Sequence, residues 1–157
     1  MGILILDDNF LPVAEGLIKQ AKSVIFISTF KLEINDRPRG RKLKAFFDTL
    51  INRAKAGIKV KILFNWHDDK HSVPKTNAHA ATVLKNAGIE VRHLKKNRCC
   101  HSKLLIVDSN QAIIGSHNLS IRSCSNNFEV SYLLTDIDSL NRVCAVFNDV
   151  FQNGQQF

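Results

Sequence analysis

The sequence predicts an α/β fold in which a mixed β-sheet is covered by helices. Short apolar runs alternate with amphipathic segments along most of the chain, and glycines stand where two of those segments should stop. No apolar stretch approaches the ~20 residues needed to span a bilayer. A chain of 157 residues fits one domain, 1–157, with a substantial core.

The elements follow in order. Leu11, Ala14, Leu17, Ile18 and Ala21 mark a first helix, and Val24 to Ser28 reads as a buried strand. Leu43, Phe46, Phe47, Leu50, Ile51 and Ala54 repeat at helical spacing, with Gly57 placed to end the helix. Its other face carries Lys42, Lys44, Asp48, Arg53 and Lys55. Ile58 to Phe64 is a strand, followed by a polar loop, a helix over 77–87 closing at Gly88, and a strand from Ile89 to Leu94. After the basic loop Lys95-Lys96-Asn97-Arg98, the runs 101–107 and 111–114 flank an Asp/Asn-rich turn and read as a hairpin. Phe128 to Leu134 is a strand, and Leu140, Val143, Cys144 and Phe147 mark a last helix.

The net charge of +8 is unevenly placed: residues 37–103 hold 17 Lys/Arg against 4 Asp/Glu, while both flanks are slightly acidic. A localised basic face attracts polyanions, which favours nucleic acid or an anionic membrane surface over a neutral partner. The run Arg37-Pro38-Arg39-Gly40-Arg41-Lys42 is the densest, and Arg39, Arg41 and Lys42 are candidate phosphate-backbone contacts. Phe30, just upstream, is either a base-stacking ring or a core residue.

Cys99, Cys100, Cys124 and Cys144 show no zinc or disulfide spacing, which points to a reducing compartment and a cytoplasmic location. Cys144 lies on an apolar stripe, where a thiol acts as a small hydrophobe. The N-terminus has no positive n-region and only a four-residue apolar run before Asp7 and Asp8, so it does not read as an intact signal peptide, although a leader already removed would leave no trace. The stretch Trp66-His67-Asp68-Asp69-Lys70-His71 matches no metal pattern and reads as a solvated loop. His79 and His93 stand alone and read as surface or structural.

Chemistry concentrates between His101 and Asn118. His101 and Lys103, two apart on a strand, project together, and the hairpin returns Gly115-Ser116-His117-Asn118 to the same level. Gly115 would let the backbone turn sharply there. Phosphoryl transfer is mostly positioning and electrostatic stabilisation, and Lys103, Ser116 and Asn118 supply a cation and neutral donors for phosphate oxygens. His101 could attack phosphorus, since an imidazole is substantially neutral at pH 7. His117 is equally open to substrate contact or simple exposure.

The spacing resembles the signature of the phospholipase D superfamily, His-x-Lys-x4-Asp-x6-Gly-Ser-x-Asn, matched by His101, Lys103, Asp108, Gly115, Ser116 and Asn118. The order of elements from about residue 10 to 150 is similar to that family's α/β/α sandwich, and the nearest likeness is to its small single-motif bacterial endonucleases. The resemblance implies two copies of the motif per active site, one His forming a phosphohistidine and the other protonating the leaving oxygen. This chain carries one copy, so a homodimer is expected, with two His101 side chains facing across a two-fold axis. In-line displacement also requires it physically, because nothing else in the motif is a suitable acid.

By the same resemblance Lys103 and Asn118 bind phosphate, Ser116 and Glu129 orient the imidazoles, and neither metal nor other cofactor is required. Asp108 and Gly115 are assigned to structure, Asp108 bonding its own turn. The expected activity is metal-independent hydrolysis of DNA or RNA without stable membrane insertion. A phospholipase or phosphatidyl transferase and a non-catalytic nucleic-acid-binding module are the alternatives.

Overall fold

Central strands buried on both faces and a single apolar face on each long helix leave these segments one way to hide their side chains, a sheet between two helical layers. The computed structural model describes residues 2–66, 73–95 and 97–157. The strands are β1 Ile3–Leu6, β2 Val24–Thr29, β3 Lys59–Phe64, β4 Glu90–His93, β5 Leu104–Val107, β6 Gln111–Gly115, β7 Val130–Leu134 and β8 Gln155–Gln156, and the helices are α1 Phe10–Gln20, α2 Arg41–Lys55, α3 Val73–Asn86 and α4 Ile137–Gln152. Across the mixed sheet the order is β1-β7-β6-β5-β2-β3-β4-β8.

The parallel β2, β3 and β4 are joined by α2 and α3, whereas β5, β6, β7 and β1 run antiparallel to their neighbours. One face packs a core of Ile25, Ile27, Ile62 and Leu105 against α1, α2 and α3, whose Ala14, Ile18, Phe46, Phe47, Leu50 and Leu84 are buried. Each large side chain buried there contributes about 2 kcal/mol. The other face packs Phe26, Leu63, Ile106 and Ala112 under α4 through Leu140, Phe147 and Phe151.

Several boundaries differ from the sequence reading. β1 and β8 lie outside the elements the periodicity predicts, because four and two residues are too few to show a period. α3 begins at Val73 rather than Asn77, and β7 at Val130 rather than Phe128. The ladder of β5 begins at Leu104, so His101 to Lys103 form a lead-in segment. At the hairpin tip Asp108 and Ser109 take positive φ of 51° and 58°, a region Asp tolerates better than most residues.

The register gathers the chemistry at one end of the sheet. Ser28 of β2 pairs with Leu104, Leu104 with Ile114, Gly115 with Ser131, and Val130 with Leu6. The carboxyl end of β2, the lead-in to β5, the exit of β6 and the entry of β7 therefore lie side by side.

Candidate active site

His101 is exposed at this end, its ring 5.2 Å from that of Phe30 and tilted by 54°. Lys103 Nζ lies 3.2 Å from Nδ1 and 3.4 Å from Nε2 of His101, donates to the His101 carbonyl at 2.6 Å, and sits 5.8 Å from the Phe30 ring centre. Partial burial draws the Lys103 pKa below the ordinary lysine range. Phe30 is not a buried core residue: half-buried, it packs against the His101–Lys103 pair.

The Asn118 carbonyl oxygen accepts from Lys31 N at 3.1 Å and Thr29 Oγ1 at 3.4 Å. Its amide nitrogen has no partner among the described residues, and the side chain lines a groove with His101, Lys103 and Ser116. The groove, about 790 Å³, continues between the sheet and α4 past Leu104, Ile114, Val143 and Val146, with Arg142 on its wall.

Ser116 is committed differently from a phosphate ligand. Its hydroxyl donates to the Glu129 carboxylate and accepts from Val130 N at 3.0 Å, so its one proton is directed at Glu129. Glu129 also receives Ser123 Oγ at 2.7 Å and Asn127 Nδ2 at 2.9 Å. Burial works to raise the Glu129 pKa, but the bonds from Ser116, Asn127 and Ser123 outweigh it and hold the group below the ordinary carboxylate range. Glu129 makes no hydrogen bond to His101; it reaches the site through Ser116.

His117 departs from both sequence readings, being buried rather than exposed or facing substrate. Its Nε2 lies 3.0 Å from the Asp7 carbonyl and its Nδ1 2.7 Å from Ser131 Oγ, and the ring stacks on Phe10 at 4.4 Å. Desolvation lowers its pKa below the ordinary histidine range. His101 is therefore the motif's groove-facing imidazole.

Asp108 is structural, though not by bonding its own turn. Its carboxylate accepts from the backbone N–H of Lys22 at 2.7 Å, Ser23 at 2.8 Å and Val24 at 3.0 Å, clamping the entry of β2 to the far end of the hairpin. Burial opposes its ionisation, yet these bonds prevail and lower its pKa. Gly115 has no positive φ, so turning is not its task. A Cβ there would fall 2.5 Å from Val130 O and closer to Ser131, so glycine is what lets β6 approach β7.

Arg39, Arg41 and Lys42 are exposed, without ion-pair partners among the described residues, where α2 begins. That point is tied to the site, since Leu32 bridges Leu119 and Glu33 accepts from Ile121 N at 3.1 Å. Residues 67–71, with their two His and two Asp, and Lys96 lie outside the described residues. Among those described, no group of three or more His, Cys, Asp or Glu side chains is arranged to hold a metal, and no helix is long and apolar enough to cross a membrane. Cys99 is exposed, Cys100 and Cys124 are buried, and Cys144 is half-buried beside the α4 core.

A family profile described as "Cardiolipin synthase, PLD-like domain" matches residues 15–152. The chain belongs to the phospholipase D superfamily. It is 35% identical over 103 residues to cardiolipin synthase 2 of Bacillus cereus, an alignment covering 66% of this chain and 20% of that protein. The chain thus spans about a fifth of the length of the curated relatives it matches. The structure of a phospholipase D family member, Nuc from Salmonella typhimurium, superposes with a TM-score of 0.80 at 17% identity, covering 100% of this chain and 99% of that one. NucT from Helicobacter pylori gives 0.77 at 18% identity with the same coverage. At these identities the structural likeness concerns the fold.

Within this phospholipase D-like fold, sequence reasoning missed Thr29, Ser123, Asn127, Asp7 and the α4 groove with Arg142. The polar cluster ahead of Glu129 was a signal for Ser123 and Asn127. Nothing local marked Arg142, whose place in the groove depends on how α4 crosses the sheet.

Proposed function

We propose that this protein is a phosphodiesterase that hydrolyses nucleic acid through His101, at a site completed by a second copy of the chain. One observation carries this reading: His101, Lys103 and the Asn118 amide line a groove whose border is an uncovered apolar sheet face. Leu4 pairs with Tyr132 and Tyr132 with Ile114, Leu6 pairs with Val130, and all five are exposed, with Phe128 at 82% just ahead of β7. Such a patch marks an association surface. A two-fold axis there brings a second imidazole to the groove that one copy lacks.

His101 Nε2 attacks phosphorus while Lys103 and Asn118 Nδ2 neutralise the non-bridging oxygens. The P–O bond breaks, and the leaving oxygen takes a proton from the partner's His101. Water then attacks the phosphohistidine, giving its proton to the partner's His101, and the P–N bond breaks to release the phosphate end. Nucleic acid is favoured by the cations at Arg39, Arg41 and Lys42. They sit at a helix N-terminus, where the dipole disfavours positive charge, with no acidic residue in the first turn.

The decisive experiment is cleavage of single-stranded DNA, duplex DNA and RNA in excess EDTA by wild type and His101→Ala, with molar mass by light scattering. Turnover by a dimer, lost in the variant, is expected; loss of activity on chelation or a fully active monomer overturns the reading. The apolar groove along α4 and the cardiolipin synthase relatives favour a second one, a lipid phosphodiesterase or phosphatidyl transferase. Turnover of phosphatidylglycerol vesicles with nucleic acid left intact selects it, and binding of DNA without any turnover selects a non-catalytic module.

A further inference from the structure

We infer that Asp7 is a positioning residue of the active site, clasping Glu129 from the N-terminal edge of the sheet. Asp7 follows β1 and takes a φ of 44°, which turns both its backbone and its carboxylate toward Glu129. Its Oδ1 accepts from Glu129 N at 2.8 Å, and its own N–H donates to the Glu129 carbonyl at 3.1 Å. Both backbone groups of Glu129 are thereby fixed one residue ahead of the β1–β7 ladder, which begins at the Leu6–Val130 pair. The Glu129 carboxylate then holds Ser116, the motif serine.

His117 locks the clasp. The Asp7 carbonyl can only accept, so Nε2 carries the proton and Nδ1 accepts from Ser131 Oγ, which fixes the tautomer. Stacked on Phe10 and buried, the ring cannot swing away without opening the α1 core. A chain of direct contacts runs from His117 through Asp7 and Glu129 to Ser116, and none of its first three members touches the groove itself.

The inference rests on Ser116 and Glu129 serving the proposed hydrolysis, and the reference variant Glu129→Gln tests that separately. Asp7→Gly removes the acceptor while accepting the positive φ without strain, and Asp7→Asn keeps an oxygen at the same place. With the full chain and bis(p-nitrophenyl) phosphate as substrate, Asp7→Gly should lower kcat by about tenfold with KM nearly unchanged, and Asp7→Asn should stay within about twofold of wild type. The pH–rate profile of Asp7→Gly should move in the same direction as that of Glu129→Gln. The Asp7→Gly/Glu129→Gln double variant should be no slower than Glu129→Gln alone, because both changes break one chain of contacts.

Multiplying losses in the double variant, failure of Asp7→Asn to rescue, or a wild-type rate in Asp7→Gly overturns the assignment. So does a wild-type rate in Glu129→Gln, which would also remove Glu129 from the proposed site. Hydrogen exchange of the Glu129 amide in the unmodified protein decides the matter even if Asp7→Gly does not fold. Protection like that of the β7 amides is expected, and free exchange overturns it.

Discussion

The Ser116 hydroxyl donates its only proton to Glu129 while accepting from Val130 N–H, so the motif serine, although it lines the groove, directs its proton to the carboxylate behind it. This divides the motif's work. Lys103 and Asn118 present donors to the groove, while Ser116, and Ser123 behind Asn118, are bonded to the Glu129 carboxylate.

Ser116→Ala should therefore raise the Glu129 pKa, because burial then acts against fewer compensating bonds. The variant's stability deficit should be full above the ordinary glutamate value and should shrink as pH falls through the folded-state value, where Glu129 protonates in wild type too. Carbon NMR of the carboxylate and paired denaturation curves measure both.

Acid should destabilise the protein beginning near the ordinary histidine value of ~6.5. His117 is held neutral by burial, so below that pH the unfolded chain binds a proton that the folded chain does not, and stability falls as pH falls. His117→Asn should flatten this first limb, and Asp108 and Glu129 should produce a second at lower pH. Thermal melts from about pH 2 to pH 8 separate the two limbs, the first starting near the ordinary His value of ~6.5 and the second running below the ordinary carboxylate value of ~4.

Asp108→Ala should cost about 2 kcal/mol, since the N–H groups of Lys22, Ser23 and Val24 lose one shared acceptor. A fall in Tm of roughly 4–8 °C is expected for a chain of this size. Activity of the folded fraction should persist, because Asp108 lies at the other end of the hairpin from His101.

Replacing Arg39, Arg41 and Lys42 together by Ala should flatten the salt dependence of DNA binding, the log–log slope falling by roughly 2–3 for three lost phosphate contacts. Hydrolysis of bis(p-nitrophenyl) phosphate, too small to reach them, should be unchanged. A full slope in the triple variant removes these residues from the nucleic-acid path.

A thiol reagent at neutral pH should label exposed Cys99 first. Burial pushes the Cys100 thiol up to about 11 and the Cys124 thiol up to about 12, so both should react only after unfolding. Mass spectrometry of a labelling time course distinguishes them.

The fold class and the family were legible in the sequence alone. The β5–β6 hairpin brings its lead-in, His101 to Lys103, and its exit, Gly115 to Asn118, to one end of the sheet, and the periods of α1, α2 and α4 announced the helices that cover it. These are local relations, set by backbone geometry over a few residues. Tertiary structure decided what depends on strand order. It buried His117 against Phe10 and Asp7, more than a hundred residues away, gave Asp108 its partners at Lys22 to Val24, and left Leu4, Tyr132 and Ile114 as one exposed row. Each requires β1 to pair with β7 and β5 with β2, and no spacing along the chain encodes which strands become neighbours.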